Sequence, residues 1–169
     1  MINKIRVVFI CYENICRSPM AEGVFCDLLV RHDLRHFFSV SSAGTVSYQE
    51  GSPPDDRAIA VLQPLGIDIS SVRARGAREH DLHEYDWIFT MDHENYEEIL
   101  TFFPSHDQPR IHRVLEFVEG RSGDEVADPY YGTFREFEGV AEDLSLACEQ
   151  ILERMFEHYP YLAQHSGRS

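Results

Sequence analysis

Val8-Phe9-Ile10-Cys11-Tyr12-Glu13-Asn14-Ile15-Cys16-Arg17-Ser18-Pro19 is the stretch from which the rest of the chain can be read. The run from Arg6 to Ile10 is apolar and rich in β-formers, the pattern of a strand buried on both faces. It ends at Cys11. Ser18-Pro19 opens a helical pattern, with Ser18 as a candidate cap and Pro19 suited to the first turn. The residues between form a loop from a strand end into a helix N-terminus. Anions bind at such places, because free N–H groups and the helix dipole converge there.

The residues of this loop suit phosphate chemistry. Cys11 can act as a nucleophile. Six positions later, Arg17 offers a planar fork that holds two phosphate oxygens at once. A loop this short has to curl, which turns the N–H groups of Tyr12, Glu13, Asn14, Ile15, Cys16 and Arg17 toward one anion. A positive field of that kind favours the thiolate of a cysteine, and Ser18 can donate its hydroxyl hydrogen to the sulfur. Without the strand before it and the helix after it, Cys-x5-Arg-Ser would read equally as a packed thiol beside a surface arginine.

Outward from this loop, the pattern alternates strands and helices. Apolar residues recur at helical spacing from Met20 to about Leu29, and Phe38 to Ser42 reads as a second strand. A loop at 48–54 leads to a helix through Ala58, Ile59, Val61 and Leu62, capped by Asp55 or Asp56 and ended by Pro64 and Gly66. Asp86–Thr90 reads as the third strand, followed by a helix from about Glu94 to Phe102, and Ile111–Phe117 reads as the fourth. Asp128-Pro129-Tyr130-Tyr131-Gly132 is a turn by chemistry. Phe134 to Tyr159 carries an apolar stripe that includes Cys148, and Pro160 ends this helix. Alternation of this kind builds a doubly wound α/β parallel sheet with helices on both faces. One domain over 1–160 is expected, followed by a loose C-terminal tail at 161–169.

Charge and composition narrow the function classes. With 15 Lys and Arg against 29 Asp and Glu, the formal net charge is −14. That argues against general binding to nucleic acid or to an anionic membrane surface. Any affinity for phosphate must be local to the loop. Arg73-Ala74-Arg75-Gly76-Ala77-Arg78 is a basic island that reads as a solvated face. His80, His83 and His93 lie among acidic residues without metal-ligand spacing, so no metal and no other cofactor is expected. The four cysteines, Cys11, Cys16, Cys26 and Cys148, form no disulfide framework. With no signal peptide or membrane-length apolar run in the sequence, a reducing cytoplasm is the expected location.

The loop resembles that of the low-molecular-weight protein tyrosine phosphatase family, where a strand ends in Cys followed by x-Gly-Asn-Ile-Cys-Arg-Ser-Pro. Three further stretches match in order: Ser42-Ala43-Gly44-Thr45, Met91-Asp92 followed by Asn95, and Asp128-Pro129-Tyr130-Tyr131-Gly132. The resemblance runs from Arg6 to about Tyr159. It implies a sheet of strand order 2-1-3-4 with the site at the C-terminal edge of strand 1. It also implies metal-independent hydrolysis of phosphotyrosine and small aryl phosphates through a phosphocysteine. Cys11 would be the nucleophile, Arg17 the phosphate clamp and Asp128 the general acid. Tyr130 and Tyr131 would line the cleft, with Tyr48 as an aromatic wall or else an exposed loop tyrosine.

Phosphotyrosine proteins would be the substrates, a cognate tyrosine kinase a further partner, and phosphate and other oxyanions inhibitors. The related arsenate reductases share the loop but use a cysteine pair, which this chain lacks near residues 80–92. A phosphate-binding module without turnover is the other alternative. Two departures stand out. Glu13 replaces the family glycine, which raises either backbone strain or charge repulsion. The family's histidine that supports the loop asparagine is Ser71 or Val72 here, so Asn14 needs another support, with Ser42 as a candidate.

Overall fold

The computed structural model describes residues 3–167, apart from the side chains of Glu79, His80 and Pro109. Four parallel strands, β1 (Ile5–Cys11), β2 (Phe38–Gly44), β3 (Trp87–Thr90) and β4 (Ile111–Arg113), form one sheet in the order β2-β1-β3-β4. The helices are α1 (Arg17–Arg31), α2 (Asp56–Leu62), α3 (Glu79–Leu82), α4 (His93–Leu100), α5 (Phe134–His158) and α6 (Tyr161–His165). Among the described residues, no helix is long and apolar enough to cross a membrane.

Strand β1 lies centrally, and its side chains divide between two cores. Val7, Phe9 and Cys11 pack in the cluster that holds Phe25, Leu62, Phe137 and Ile151 from α1, α2 and α5. Val8 and Ile10 face the other side, with Leu82 and Ile99 from α3 and α4. Burial on both faces is why β1 is continuously apolar and does not alternate. Phe9 is fully buried between the rings of Phe25 and Phe89, at centroid distances of 5.8 and 5.5 Å. Truncating such a side chain to alanine costs about 3–5 kcal/mol.

Several boundaries differ from the sequence reading. Helix α1 begins at Arg17, with Cys16 in the cap position and no side-chain cap. Ser18 is therefore inside the helix, and its hydroxyl serves the loop instead. Strand β4 stops at Arg113, not Phe117. Glu116 closes a turn there, its carboxylate accepting from the Arg113 N–H at 3.2 Å and meeting His112 Nδ1 at 2.7 Å. That imidazole holds the Glu116 carboxyl low despite the opposing effect of burial. Val114 and Leu115 are buried as turn residues, so their hydrophobicity had suggested a strand that is not formed. Asp55 is the α2 cap, accepting from the Arg57 N–H at 2.9 Å. Residues 161–165 are helical, with Leu162 buried in the main core, where a loose tail was expected. Arg168 and Ser169 of that tail lie outside the described residues.

Candidate active site

The loop from Cys11 to Arg17 hangs from its carbonyls. Cys11 C=O accepts from Thr45 N–H at 2.9 Å, Tyr12 C=O from Val46 N–H at 3.1 Å, Ile15 C=O from Asp55 N–H at 2.8 Å and Cys16 C=O from Met20 N–H at 3.2 Å. In contrast, the N–H groups of residues 12 to 18 donate to no protein atom among the described residues. A loop whose acceptors are satisfied and whose donors are free can receive an anion. The Ser42-Ala43-Gly44-Thr45 stretch is one of its supports. A Cβ on Gly44 would stand 2.7 Å from the Tyr12 carbonyl oxygen, so only glycine permits this approach.

Asn14 is the left-handed residue of the loop, at φ 62°, a conformation asparagine tolerates. Glu13 is not among the positive-φ residues, so the strain considered for it is absent. Asn14 is 1% exposed and fully engaged. Its Oδ1 accepts from Arg75 N–H at 3.0 Å, and its Nδ2 donates to Ser18 Oγ at 2.8 Å. The support expected from Ser42 is not made: among the described residues, the Asn14 side chain bonds Ser18 and Arg75, and the buried Ser42 hydroxyl faces the Glu22 carboxylate instead. Arg75 supplies the support from its main chain, so the basic island serves the site through a peptide group.

Ser18 Oγ lies 2.9 Å from Cys11 Sγ. Asn14 Nδ2 occupies one of its lone pairs, which leaves the hydroxyl hydrogen to go to the sulfur or to Ala43 C=O at 3.4 Å. The sulfur is the nearer of the two.

Arg17 is 2% exposed. Its Nη1 donates to Asp92 Oδ2 at 2.6 Å and to Val126 C=O at 2.9 Å, and its Nη2 stands 3.6 Å from Asp128 Oδ2. Among the described residues, its buried Nε–H has no hydrogen-bond partner. Burial alone would lower the guanidinium pKa, but Cys11, Asp92 and Asp128 outweigh it and push it up, so the side chain stays charged. Asp92 was recognised in the sequence without a role. It caps α4, accepting from Asn95 N–H at 2.8 Å with Oδ1, while Oδ2 holds Arg17. A cap residue at the C-terminal end of β3 was the available signal.

Asp128 is 45% exposed, and its Oδ1 accepts from Tyr130 N–H at 3.1 Å. It joins Cys11, Tyr12, Glu13, Ile15, Cys16, Arg17, Gln49, Tyr130 and Tyr131 around a cavity of 230 Å³. Tyr48 does not line this cavity. It is 76% exposed and packs edge-on to Tyr12 at 6.5 Å, while its neighbour Gln49 faces the space. Cys16 is a buried thiol, its pKa pushed up by burial and by the negative charges of Asp55, Cys11 and Asp128. Cys26 and Cys148 are not among the lining residues.

Among the described residues, no group of three or more His, Cys, Asp or Glu is placed to hold a metal ion. His83 is not simply solvated: its Nε2 lies 3.1 Å from Phe102 C=O. His93 Nδ1 is 3.1 Å from Arg113 Nη2. The His80 side chain lies outside the described residues.

Residues 6–160 match the model of the low molecular weight phosphotyrosine protein phosphatase family. The chain is 37% identical over 149 residues to the low molecular weight protein-tyrosine-phosphatase YfkJ of Bacillus subtilis, covering 88% of this chain and 94% of that protein. It is 32% identical over 151 residues to the human low molecular weight phosphotyrosine protein phosphatase, again covering 88% and 94%. Among solved structures, the Entamoeba histolytica protein tyrosine phosphatase with Hepes in the active site superposes at a TM-score of 0.86. That match is 35% identical and covers 92% of this chain and 99% of the other. The Bacillus subtilis YfkJ crystal structure also gives 0.86 at 35% identity, over 93% and 98% of the two chains.

Proposed function

Since the chain belongs to the low molecular weight phosphotyrosine protein phosphatase family, we propose that it hydrolyses phosphotyrosine in proteins through a phosphocysteine, without a metal ion. The observation that carries this reading is the buried, unpartnered Nε–H of Arg17 in the cavity that also holds Cys11. With Nη1 committed to Asp92 and Val126, the Nε and Nη2 edge of the fork remains for two oxygens of one phosphate. The free N–H groups of the loop take the remaining charge and stabilise the equatorial oxygens as the bond changes.

In the first step, Cys11 Sγ attacks phosphorus, the S–P bond forms and the P–O bond to the tyrosine breaks. Asp128 gives its proton to the departing oxygen. In the second step, Asp128 takes a proton from water, the water oxygen bonds to phosphorus, and the S–P bond breaks to return the thiolate and release phosphate. Ser18, donating to the sulfur, makes it a better leaving group.

Depth supports phosphotyrosine as the substrate class. Cys11 and Arg17 are 3% and 2% exposed, while Tyr131 at the mouth is 96% exposed. An aryl ester spans that depth better than the shorter phosphoserine. The enzyme class that must supply such a substrate is a tyrosine kinase, and phosphate and related oxyanions would compete for the loop. A thiolate nucleophile needs a reducing compartment, which supports a cytoplasmic location.

The test is hydrolysis of phosphotyrosine and an aryl phosphate in EDTA by wild type, Cys11→Ser and Asp128→Asn, with acid quench and mass measurement of Cys11. We expect turnover in EDTA, a mass gain of one phosphoryl group on Cys11, and none with Cys11→Ser. Activity that needs a divalent ion, or that survives Cys11→Ser, would refute the reading.

A further inference from the structure

We propose that Arg57 is a positioning residue for the general acid, tying the loop that carries Asp128 to the loop that carries Cys11. The inference rests on the reading of Asp128 as the acid.

The connection is continuous. Asp55 N–H donates to the Ile15 carbonyl of the phosphate loop at 2.8 Å. The Asp55 carboxylate then grips the Arg57 guanidinium in a fork, with Nε to Oδ1 and Nη2 to Oδ2 both at 3.0 Å. The other side of the guanidinium reaches across to the acid loop. Nη2 donates to Tyr130 C=O at 2.9 Å and Nη1 to Gly132 C=O at 3.1 Å. Its plane lies over the Phe137 ring, 4.5 Å from the centroid. Tyr130 is thus held at its carbonyl by Arg57 and gives its N–H to Asp128.

The acid loop needs such a tie. Residues 119–131 contain no helix or strand, so backbone hydrogen bonds of regular structure do not fix Asp128. On its N-terminal side the loop is pinned at Val126, whose N–H donates to Met91 C=O at 2.8 Å and whose C=O accepts from Arg17. On its C-terminal side, Arg57 supplies the side-chain pins, to Tyr130 and Gly132. Asp128 stands between. Arg57 does not line the cavity, so it acts through the loop and not on the anion. A lysine cannot replace it, because a single ammonium cannot grip a carboxylate in two places and reach two carbonyls.

The experiment compares wild type, Arg57→Lys, Arg57→Met and Asp128→Asn. Methionine keeps an apolar stem over Phe137. Each protein is assayed for kcat/KM on aryl phosphates of graded leaving-group basicity, for inhibition by inorganic phosphate, and for thermal unfolding. A misplaced acid should slow esters with poor leaving groups roughly tenfold or more and leave the best leaving groups within about twofold, since only the former need the proton. Phosphate inhibition should stay within about twofold in both Arg57 variants, which also reports that the phosphate loop is folded. Arg57→Lys covers the case in which Arg57→Met does not fold.

If the Arg57 variants lose activity equally across the series, or lose none, while Asp128→Asn shows the leaving-group dependence, Arg57 has no positioning role and the acid assignment stands. If Asp128→Asn itself shows no such dependence, the acid assignment falls and this inference falls with it.

Discussion

Removing the charge of Glu13 should tighten phosphate binding. Glu13 is half-buried, lines the same cavity as Cys11 and Arg17, and has ordinary φ, so the loop bears no strain from it. What remains is its carboxylate. It lies two residues from Cys11, which places it on the order of 8 Å from a bound phosphorus. At that distance in water, a unit charge and a dianion repel by about 1 kcal/mol, about fivefold in affinity. At 0.15 M salt the repulsion falls to about 0.4 kcal/mol, about twofold, and at 1 M it is negligible.

The assay is competitive inhibition by inorganic phosphate over a range of sodium chloride, for wild type, Glu13→Gln and Glu13→Gly. Both variants should bind phosphate more tightly than wild type at low salt, by similar factors, and the three should converge as salt rises. Improvement in Glu13→Gly alone, independent of salt, would refute the charge argument and return strain to the account. No change in either variant would mean that the carboxylate does not sense the anion.

Arg17→Lys should lose most activity and most phosphate inhibition, because an ammonium cannot both hold Asp92 and Val126 and present two donors to the anion; near-normal inhibition would refute the bidentate reading. Under mild peroxide, a Cys11 sulfenic acid should condense with the Cys16 thiol to a disulfide and water. Burial pushes the Cys16 thiol up, so this condensation should quicken as pH rises, and Cys16→Ser should recover less activity in dithiothreitol than wild type. Recovery equal to wild type would remove Cys16 from that role.

Burial also raises the Cys148 thiol, and that of Cys26 to about 11, from an ordinary 9.0. A folded-state pKa above the unfolded one contributes stability that is present below the unfolded value and lost as pH rises through the folded one. Urea unfolding should therefore show stability falling above about pH 9, by up to about 1.4 kcal/mol per pH unit for a fully buried thiol. Cys148→Ala should be less stable at neutral pH and should lose less on going from pH 9 to 10.5; an unchanged slope would assign the alkaline loss to other groups.

The fold was legible because β1 announces itself. Its apolar run without alternation requires cover on both faces, and its end in Cys-x5-Arg requires a loop into a helix. What holds that loop was legible only in part. Asn14 is oriented by the main-chain N–H of a residue 61 positions away, and a peptide group carries no side-chain signature. Asp92 and Val126 reach Arg17 across 75 and 109 positions, and only the first is a side chain. Ser18 carries the sequence pattern of a cap, because it precedes Pro19 and an apolar helical run. Here its hydroxyl is recruited by Asn14 and Cys11, and the cap position falls two residues earlier, at Cys16, with no side-chain cap. Gln49 took the lining position considered for Tyr48, because period and composition do not determine which of two adjacent loop residues faces inward.

An acidic protein that receives phosphate must keep its positive potential where the anion sits. The net charge of −14 is spread over the whole chain, and at physiological salt carboxylates beyond about 8 Å are largely screened. Inside the cavity the balance is different. Two carboxylates stand against Arg17, yet they do not cancel its function, because they meet different edges. Asp92 takes Nη1, which also holds Val126, and so fixes the plane of the fork. Asp128 meets Nη2 only at 3.6 Å, a distance an arriving oxygen can displace. Nε has no partner among the described residues. On the proposed reading, Nε–H and the N–H groups of the loop are the donors left for the anion. They act on it at hydrogen-bond range, where the distant carboxylates that set the net charge are largely screened.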